Sequence, residues 1–422
     1  MKKQPYLLLF ALFLAFSACD DQEDIRDVMV ATPIVMNAAE FKADAISIME
    51  PQAIVSSGKI YAYRHYIFVN DVNQGIHVLD NRDPYQPKKV AYIKVAGNND
   101  VSIKDNRLYA DSYGDLVIFD ITNVEDIKLV KRMENAIYES SQIWMSGMEM
   151  PRADFYDYEG FDPEEDVIVG WEVQRQKRHV NDLGWGTMEN FDAVTNGLSN
   201  AAPSRGQGQG GSMARFKIVG NHLYVVDRSN LNVMDISDLE APQVLKDVFV
   251  GWDIETIFNQ GNILFLGGRQ GMYIYDATNA AKPTFLSEFR HGRACDPVVV
   301  DGNFAYVTLK GGNGCGDAQS GLYIVDVSDL KNPELKVMYP MDGPNGLGIW
   351  EDTLFICDGD SGLKVYDKSD APNITLVNHF EDIVTYDVIP LPTSLLLIGD
   401  QTLRQYEYLE NDIVPISVFS LQ

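Results

Sequence analysis

The sequence predicts an all-β fold: a seven-bladed β-propeller of four-stranded blades, with a short N-terminal helical brace and one long insertion. Three observations lead to this fold class. A short apolar run closed by an acidic residue occurs seven times, as IHVLD, LVIFD, LNVMD, MYIYD, LYIVD, LKVYD and a degenerate LRQYE. Most copies recur at intervals near 40 residues, which is typical of blade arrays. Asp, Gly, Asn and Pro separate short runs rich in β-branched and aromatic residues, as expected for strands and tight turns.

The spacing of the closing residues indicates insertions and no missing repeat. The closing residues are Asp80, Asp120, Asp235, Asp276, Asp326, Asp367 and Glu407. Four of the six intervals are 40 or 41 residues, and the other two are 115 and 50. The longer insertion covers about residues 132–212, and the shorter one runs from Gly311 to Ser320.

One repeat shows the plan of a blade, whose four strands we call a to d in chain order. Strand a is predicted at Pro297 to Val300, strand b at Phe304 to Leu309, strand c at Leu322 to Val325 and strand d at Leu335 to Tyr339. Asp-Gly, Gly-Asn or Asp-Asn between strands a and b predicts a hairpin turn. The acidic residue that closes strand c is expected to accept a backbone N–H in the next turn, which is a structural role.

The N-terminus predicts export. Residues 1–18 contain Lys2, Lys3 and the apolar run Leu7 to Phe16, which is too short to span a bilayer and indicates a signal peptide. Small residues precede Cys19, and this arrangement resembles the lipobox of bacterial lipoproteins. It implies that Cys19 is lipidated and begins the mature chain; the alternative is an ordinary secreted protein cut nearby.

The residues after Cys19 predict three segments. Residues 19–57 form a lipidated tether and N-terminal brace, and residues 58–422 form the propeller. The acidic cluster DDQED at residues 20–24 resembles the tag that sends some lipoproteins to the cell surface, although a solvated tether is the alternative. Asn37 followed by Glu40 predicts a capped helix that continues to about Ile46.

The charge of the chain argues against nucleic acid as a partner. Asp and Glu number 61 against 34 Lys and Arg, which gives a formal net charge of −27. Such a chain repels phosphate backbones.

The repeats resemble those of a known family. The runs Leu322 to Asp326 and Leu116 to Asp120 are similar to the LVIVD repeat of bacterial propeller lipoproteins, and the resemblance covers nearly the whole mature chain. It implies a propeller fold and a cell-envelope location, with outer-membrane lipid holding the N-terminal anchor. It implies no defined activity.

The cysteines predict one disulfide. Cys295 and Cys315 lie in two loops of the same blade that open on one face, in an oxidising compartment, so we expect them to be bonded. Cys357 lies in the apolar run LFIC and is expected to be a buried free thiol.

The long insertion carries Trp144, Trp171 and Trp185, and it ends in the glycine tract Gly206 to Gly211, which predicts flexibility. Three tryptophans predict that part of the insertion packs. An excursion of this length indicates either a functional surface or a lid over an apolar patch.

The sequence contains no catalytic motif. HExxH, GxSxG and CxxC are absent, so no catalytic residue, metal or cofactor is predicted. Gly267 to Gly271 lies between two strands and predicts a turn. Asp358 to Gly362 lacks the remaining ligands of a calcium loop.

One set of residues is a candidate ligand-binding site. When the repeats are aligned on their a–b turns, one position near the start of strand a holds Lys59, Asp100, Ala214, Glu255, Asp296, Gly346 and Asp387. Propeller symmetry would direct these residues to the mouth of the central channel. We expect Asp100, Glu255, Arg293, Asp296 and Asp387 to bind ligand there. The alternative is that each acid caps its own inter-blade turn.

Three functions are compatible with these features. The first is a non-catalytic cell-surface lipoprotein that binds an unknown ligand, an envelope protein or a glycan, on the top face, where the b–c and d–a loops open. The second is a glycan-active enzyme that uses carboxylates in the central funnel. The third is a structural partner in an outer-membrane complex.

Overall fold

The chain is described by a computed structural model that covers residues 25–137, 151–163, 165–179, 208–227, 229–294, 297–312, 318–410 and 412–422. It divides into two compact units. The smaller unit combines Met1–Asn37 with Met148–Phe191, and the larger combines Ala38–Gly147 with Asp192–Gln422. Among the residues singled out from the sequence, Cys19, Trp144, Trp185, Cys295, Asp296 and Cys315 lie outside the described residues.

The N-terminal segment forms strand β1 (Ile25–Asn37), helix α1 (Ala38–Asp44) and strand β2 (Ile46–Met49). Helix α1 confirms the helix expected after Asn37, although it ends two residues earlier than Ile46.

Sheets 1 and 2 follow in chain order. Sheet 1 contains β3 (Ser57–Tyr63), β4 (Tyr66–Asp71), β5 (Gly75–Asp80) and β6 (Lys88–Val95), and β2 extends it beyond β6. Sheet 2 contains β7 (Val101–Lys104), β8 (Arg107–Ser112), β9 (Asp115–Asp120) and β10 (Lys128–Met133), with a 3-10 turn at Val124–Asp126.

The smaller unit is a three-stranded sheet built around β1. Strands β11 (Phe155–Tyr156) and β12 (Asp166–His179) flank it, and β12 pairs antiparallel with β1 along its whole length. Trp171 packs edge-on against the rings of Tyr156 and Tyr158, with centroid distances of 5.7 and 5.8 Å. This confirms for Trp171 that part of the long insertion packs.

The chain then forms β13 (Gln209–Gly210), which joins sheet 1 beside β3, and continues into sheets 3 and 4. Sheet 3 contains β14 (Phe216–Val219), β15 (His222–Val226), β16 (Asn230–Asp235), β17 (Gln243–Val244) and β18 (Val248–Phe249). Sheet 4 contains β19 (Ile254–Gln260), β20 (Ile263–Gly268), β21 (Gly271–Asp276) and β22 (Thr284–Arg290).

Sheets 5 to 7 repeat the plan of sheet 4. Sheet 5 contains β23 (Val298–Asp301), β24 (Phe304–Leu309), β25 (Gly321–Asp326) and β26 (Glu334–Pro340). Sheet 6 contains β27 (Leu347–Trp350), β28 (Thr353–Cys357), β29 (Leu363–Asp367) and β30 (Thr375–Phe380), with a 3-10 turn at Gly359–Ser361. Sheet 7 contains β31 (Asp387–Pro390), β32 (Leu395–Gly399), β33 (Thr402–Tyr408) and β34 (Ile413–Ser420).

Tight turns join strands a and b, as the sequence predicts. Two residues separate β7 from β8, β14 from β15, β19 from β20 and β23 from β24. The turn after β7 places both Asp105 and Asn106 at positive φ, 46° and 64°. This backbone matches the twist of the flanking strands.

The strands a of successive sheets contact one another in a closed cycle. Strands β3, β7, β14, β19, β23, β27 and β31 are neighbours in that order, and β31 returns to β3. Apolar clusters fill the space between adjacent sheets. Because neighbouring sheets bury one another's apolar faces, the larger unit is a propeller-type repeat fold.

The first and last sheets meet by packing, without exchange of a strand d. Ile60 and Leu79 of sheet 1 share one cluster with Ile389 and Leu403 of sheet 7. The amides of Asn81 and Gln405 exchange two hydrogen bonds of 2.9 and 2.7 Å across this contact. In the described part of the chain, no helix has the length and apolar character needed to cross a membrane.

Candidate functional site at the centre of the ring

Three of the predicted site residues lie buried near the starts of the innermost strands. Asp100 precedes β7, Glu255 lies in β19 and Asp387 begins β31, and these residues are 3, 3 and 0% exposed. Arg293 is exposed, and its backbone carbonyl accepts the Ala318 N–H at 3.1 Å. Asp296 is outside the described residues. The structure therefore places Asp100, Glu255 and Asp387 inside the ring, where the sequence predicts an open mouth.

Asp100 uses both carboxylate oxygens to join sheets 2 and 3. Its Oδ1 accepts the N–H of Val101 at 2.8 Å, and its Oδ2 accepts the N–H groups of Arg215 and Phe216 at 2.6 and 3.0 Å. Lys59 Nζ lies 3.9 Å from Oδ2. Burial raises the pKa of Asp100, and the Lys59 charge opposes that shift. This geometry is what the capping alternative predicts.

Asp387 uses only one oxygen. Its Oδ1 accepts the N–H of Val388 at 2.9 Å and the N–H and Oγ–H of Ser212 at 3.0 and 2.9 Å. Its Oδ2 is buried without a hydrogen-bond partner among the described residues. Burial raises the pKa of Asp387 to about 7. Ionisation of this side chain near neutral pH therefore places a charge in a poorly solvated position.

Cations accompany the buried acids. Arg269 Nε donates to Glu255 Oε1 at 3.1 Å, and burial raises the pKa of Glu255 against this attraction. Burial also lowers the pKa of Lys59 to about 8. The basic side chains whose charges act on these acids include Lys59, Arg215 and Arg269. The described acids at the centre of the ring therefore lie among basic groups, whereas the sequence predicts an acidic mouth.

The end of the long insertion occupies the centre of the ring. Gly208 donates its N–H to Ile103 O at 3.0 Å, and Gly211 donates to Ile60 O at 3.1 Å. Gln209 Nε2 donates to Pro390 O at 2.8 Å, and Ser212 Oγ accepts the Leu347 N–H at 2.6 Å. This segment, Gly208–Ser212, therefore connects the innermost strands of sheets 1, 2, 6 and 7. We call it the central segment.

The expectation that the glycine tract is flexible is wrong for Gly208 to Gly211. A Cβ atom on Gly211 would lie 1.8 Å from Asp387 Oδ2, and one on Gly208 would lie 2.1 Å from Tyr61 Cε1. The glycines are needed because the backbone approaches its neighbours closely. Composition alone cannot distinguish this use of glycine from a flexible linker.

Near Asp100, a cavity of about 40 Å³ lies between sheets 2 and 3, lined in part by Asp111, Arg215 and Asp227. Ligand pockets usually have volumes of about 300–1,000 Å³, so this cavity suits a few water molecules and is too small for a sugar.

A second set of aspartates, at or just after the ends of strands b, was not predicted. Asp71 accepts the N–H groups of Val55 and Ser56 at 3.0 and 2.7 Å, and Asp358 accepts that of Gly343 at 2.8 Å. Asp111 holds the loop before β7 in the same way. The signal was present in the sequence, because Asp recurs at this position in sheets 1, 2, 3, 6 and 7 (Asp71, Asp111, Asp227, Asp358 and Asp400).

An exposed aromatic pair lies on the top face, with Phe249 at the end of β18 in sheet 3 and Trp252 in the connection to sheet 4. Trp252 is 68% exposed and Phe249 is 59% exposed, and their rings pack edge to face with centroids 5.5 Å apart. Gly251 and Asp253 flank Trp252 at φ values of 132° and 55°. Because a non-glycine residue at positive φ is uncommon, this tight turn is an unusual way to present a tryptophan to solvent.

Cys357 is buried and free, as expected, and burial raises the pKa of its thiol. The Cys295–Cys315 disulfide stays a prediction. The described ranges contain no group of three or more His, Cys, Asp or Glu side chains that could hold a metal ion.

Comparison with known proteins finds a family repeat in three segments of the chain. The LVIVD repeat family matches residues 97–134, 210–248 and 291–340. No curated protein matches the chain.

Solved structures of several kinds are similar to the chain. A functionally unknown protein from Desulfotomaculum acetoxidans has 12% identity and a TM-score of 0.49, covering 85% of this chain and 95% of its own. The periplasmic gluconolactonase PpgL from Pseudomonas aeruginosa has 11% identity and a TM-score of 0.49, with coverages of 89 and 96%. BamB from Moraxella catarrhalis has 8% identity and a TM-score of 0.47, with coverages of 82% for each chain. At these identities and scores, the similarities support no inference about function. The chain has matches to the LVIVD repeat in three segments, and its sheet order and strand contacts give a propeller-type repeat fold.

Proposed function

We propose that this protein is a non-catalytic glycan-binding lipoprotein of the cell envelope, built as a seven-bladed propeller and anchored through Cys19. The exposed pair Phe249 and Trp252 on the top face is the observation that carries the proposal. Aromatic ring faces at a solvent-exposed site can pack against the C–H faces of sugar rings, and polar groups nearby can bind hydroxyls. Asp247 and Asp253 lie next to the pair in the sequence.

The size of the aromatic pair favours a glycan over a protein partner. Stable protein interfaces bury about 800 Å² on each partner, which is far more than two side chains offer. One or two sugar rings need no larger surface. Among the described carboxylates of the predicted funnel, Asp100, Glu255 and Asp387 are buried and hydrogen-bonded. The proposal therefore includes no catalytic step.

Titration of the purified mature protein with envelope polysaccharides tests the binding site. Trp252→Ala and Phe249→Ala should each weaken binding at least tenfold. Phe285→Ala is a matched control, because Phe285 is 53% exposed and packs edge to face on Tyr275 at 5.5 Å, but lies in strand d of sheet 4. Equal losses in all three variants, or cleavage of the polysaccharide, would contradict the proposal.

The anchor needs a separate test. Cys19→Ala should move the protein from the membrane fraction to the soluble fraction and abolish acyl labelling. Unchanged partition with membranes would contradict lipidation without bearing on the glycan site, so the two parts of the proposal can fail independently.

A further inference from the structure

Asn230 is a half-buried side chain beside the exposed aromatic pair. It begins β16 and lies directly opposite Phe249 of β18 in the ladder of sheet 3, where Leu231 and Val248 form the next pair. Directly opposite residues of antiparallel strands point to the same face of the sheet, with Cβ atoms about 4.5–5.5 Å apart. The Asn230 side chain therefore lies next to Phe249, whose ring packs against that of Trp252.

The backbone of Asn230 is held by a turn, whereas its side-chain amide is available. Its N–H donates to Asp227 Oδ1 at 2.8 Å, and its carbonyl accepts the Asp227 N–H at 3.0 Å. In the described part of the chain, the side-chain amide of Asn230 makes no hydrogen bond. Asn232, two residues along β16 on the same face, is buried, and its Nδ2 donates to Val225 O at 3.3 Å and Asp227 Oδ2 at 3.1 Å. The fold thus uses the Asn232 amide internally and leaves the Asn230 amide beside the aromatic pair.

An amide beside aromatic rings is complementary to one substituent of sugars. The acetamido group of an N-acetylhexosamine has an N–H donor, a carbonyl acceptor and an apolar methyl group. An asparagine side chain has an acceptor and two donors, so it can bind both polar atoms of this substituent at once. The methyl group and the C–H face of the sugar ring would pack on Phe249 and Trp252. A hydroxyl at the same ring position offers a single oxygen and no methyl group.

We propose that the site at Phe249 and Trp252 selects neutral glycans that contain N-acetylhexosamine, and that Asn230 recognises the acetamido group. The selectivity rests on the proposed glycan-binding function and specifies its class of glycan. A site that hydrogen-bonds a substituent discriminates against the analogue that lacks it, because the polar groups of the site then lose their partners. The formal net charge of −27 disfavours anionic polysaccharides, so neutral members of the class fit best.

Two pairs of sugars that differ only in this substituent test the proposal. Chitotriose and cellotriose share one backbone and carry an acetamido group or a hydroxyl at C2, and N-acetylgalactosamine and galactose differ in the same way. Calorimetric titration of the mature protein should show at least about tenfold tighter binding of the acetamido sugar in at least one pair, as expected for two hydrogen bonds. Asn230→Ala should reduce this preference below about threefold, because both hydrogen bonds are lost.

Asn279→Ala is the matched control and should keep the full preference. Asn279 is also an asparagine in a turn, where its carbonyl accepts the Lys282 N–H at 2.9 Å, but it is exposed in the c–d connection of sheet 4. Asn230→Asp is a second variant at the site. It keeps the shape and an acceptor but loses the amide donors, so it should also weaken binding of the acetamido sugar.

Three results would overturn the proposed selectivity. Equal affinities within both pairs, with Trp252→Ala weakening all of them, would remove it and leave the glycan site in place. An unchanged preference in Asn230→Ala would assign the recognition to other residues. Binding of envelope polysaccharides but of none of the four sugars would exclude this class of glycan. If neither the sugars nor the polysaccharides bind, the proposed function fails as well. If Asn230→Ala does not fold, Asn230→Asp and the wild-type ratios decide the question.

Discussion

At the scale of single residues, the acid that closes each strand c has the role that the sequence predicts. Six of these aspartates accept the backbone N–H two residues later, at 2.7 to 2.9 Å: Asp80, Asp120, Asp235, Asp276, Asp326 and Asp367. Donor and acceptor are close in sequence, so the pattern alone reveals the contact. Arg269 beside Glu255, and Ser212 beside Asp387, could not be found in this way because the fold brings them together.

Asp326→Ala should lower the free energy of unfolding by about 1 kcal/mol at pH 7, because the Ser328 N–H loses its acceptor. Hydrogen bonds from Ser328 lower the pKa of Asp326 to about 2. Because the pKa is lower in the folded state, the ionised carboxylate stabilises the fold at pH values above the unfolded-state pKa. The difference in stability between the wild type and the variant should therefore disappear as pH falls from about 4 to 2. Urea unfolding measures the loss of stability in Asp326→Ala, and Glu334→Ala, at an exposed position, is the control. Equal losses in both variants at pH 7 would count against the turn bond.

Asp387→Asn should become progressively more stable, relative to the wild type, as pH rises. Burial raises the pKa of Asp387 in the folded state to about 7. The protonated carboxyl therefore makes its whole contribution to the stability of the wild type below about pH 4, and this contribution is lost as pH rises to 7. The free energy of unfolding of the variant minus that of the wild type should increase by up to about 4 kcal/mol between these two pH values and then stay constant. Asparagine retains the Oδ1 acceptor. A difference that does not change between pH 4 and 8 would show that Asp387 does not titrate in this range.

At the scale of elements, the strands were predictable and the central segment was not. For sheet 5 the predicted strand b coincides with β24, and the other three strands differ by one residue at each end. The strands were predictable because apolar and polar residues alternate along them and turn-forming residues mark their ends. The central segment, Gly208 to Ser212, does not show the alternation of apolar and polar residues that predicts a strand. Its hydrogen-bond partners come from four sheets, so its position depends on the assembled ring.

Gly211→Ala should lower the free energy of unfolding by more than about 2 kcal/mol, because its Cβ would overlap the Asp387 carboxylate and shift the central segment. Gly210→Ala is the control. Its nearest atom would be Tyr61 Cδ2 at 3.3 Å, so a smaller loss is expected. Thermal and urea unfolding of the two variants measure the difference. Equal effects would mean that the contact of Gly211 with Asp387 is not important for stability.

At the scale of the whole molecule, the repeat spacing predicts a ring with an acidic mouth, and among the described residues Asp100, Glu255 and Asp387 are buried inside that ring. Propeller symmetry does bring strand-a starts together, with Lys59 Nζ 3.9 Å from Asp100 Oδ2. The alignment of repeats could not show that Asp100 would accept N–H groups from the next sheet, or that Ser212 would reach Asp387. Both contacts join parts of the chain that are more than 100 residues apart in sequence.

We infer that Asp100 and Asp387 accept hydrogen bonds that join separate parts of the chain and do not bind ligand. The unfolding free energies of Asp100→Asn and Asp387→Asn at pH 7 test it most directly, because Asp100 uses both oxygens and Asp387 uses one. In either orientation, an asparagine at position 100 leaves at least one buried N–H without an acceptor. We therefore expect Asp100→Asn to lose about 2 kcal/mol or more, and Asp387→Asn to be at least as stable as the wild type. If both variants are as stable as the wild type and neither binds glycan, the acids form the ligand site and the claim is wrong.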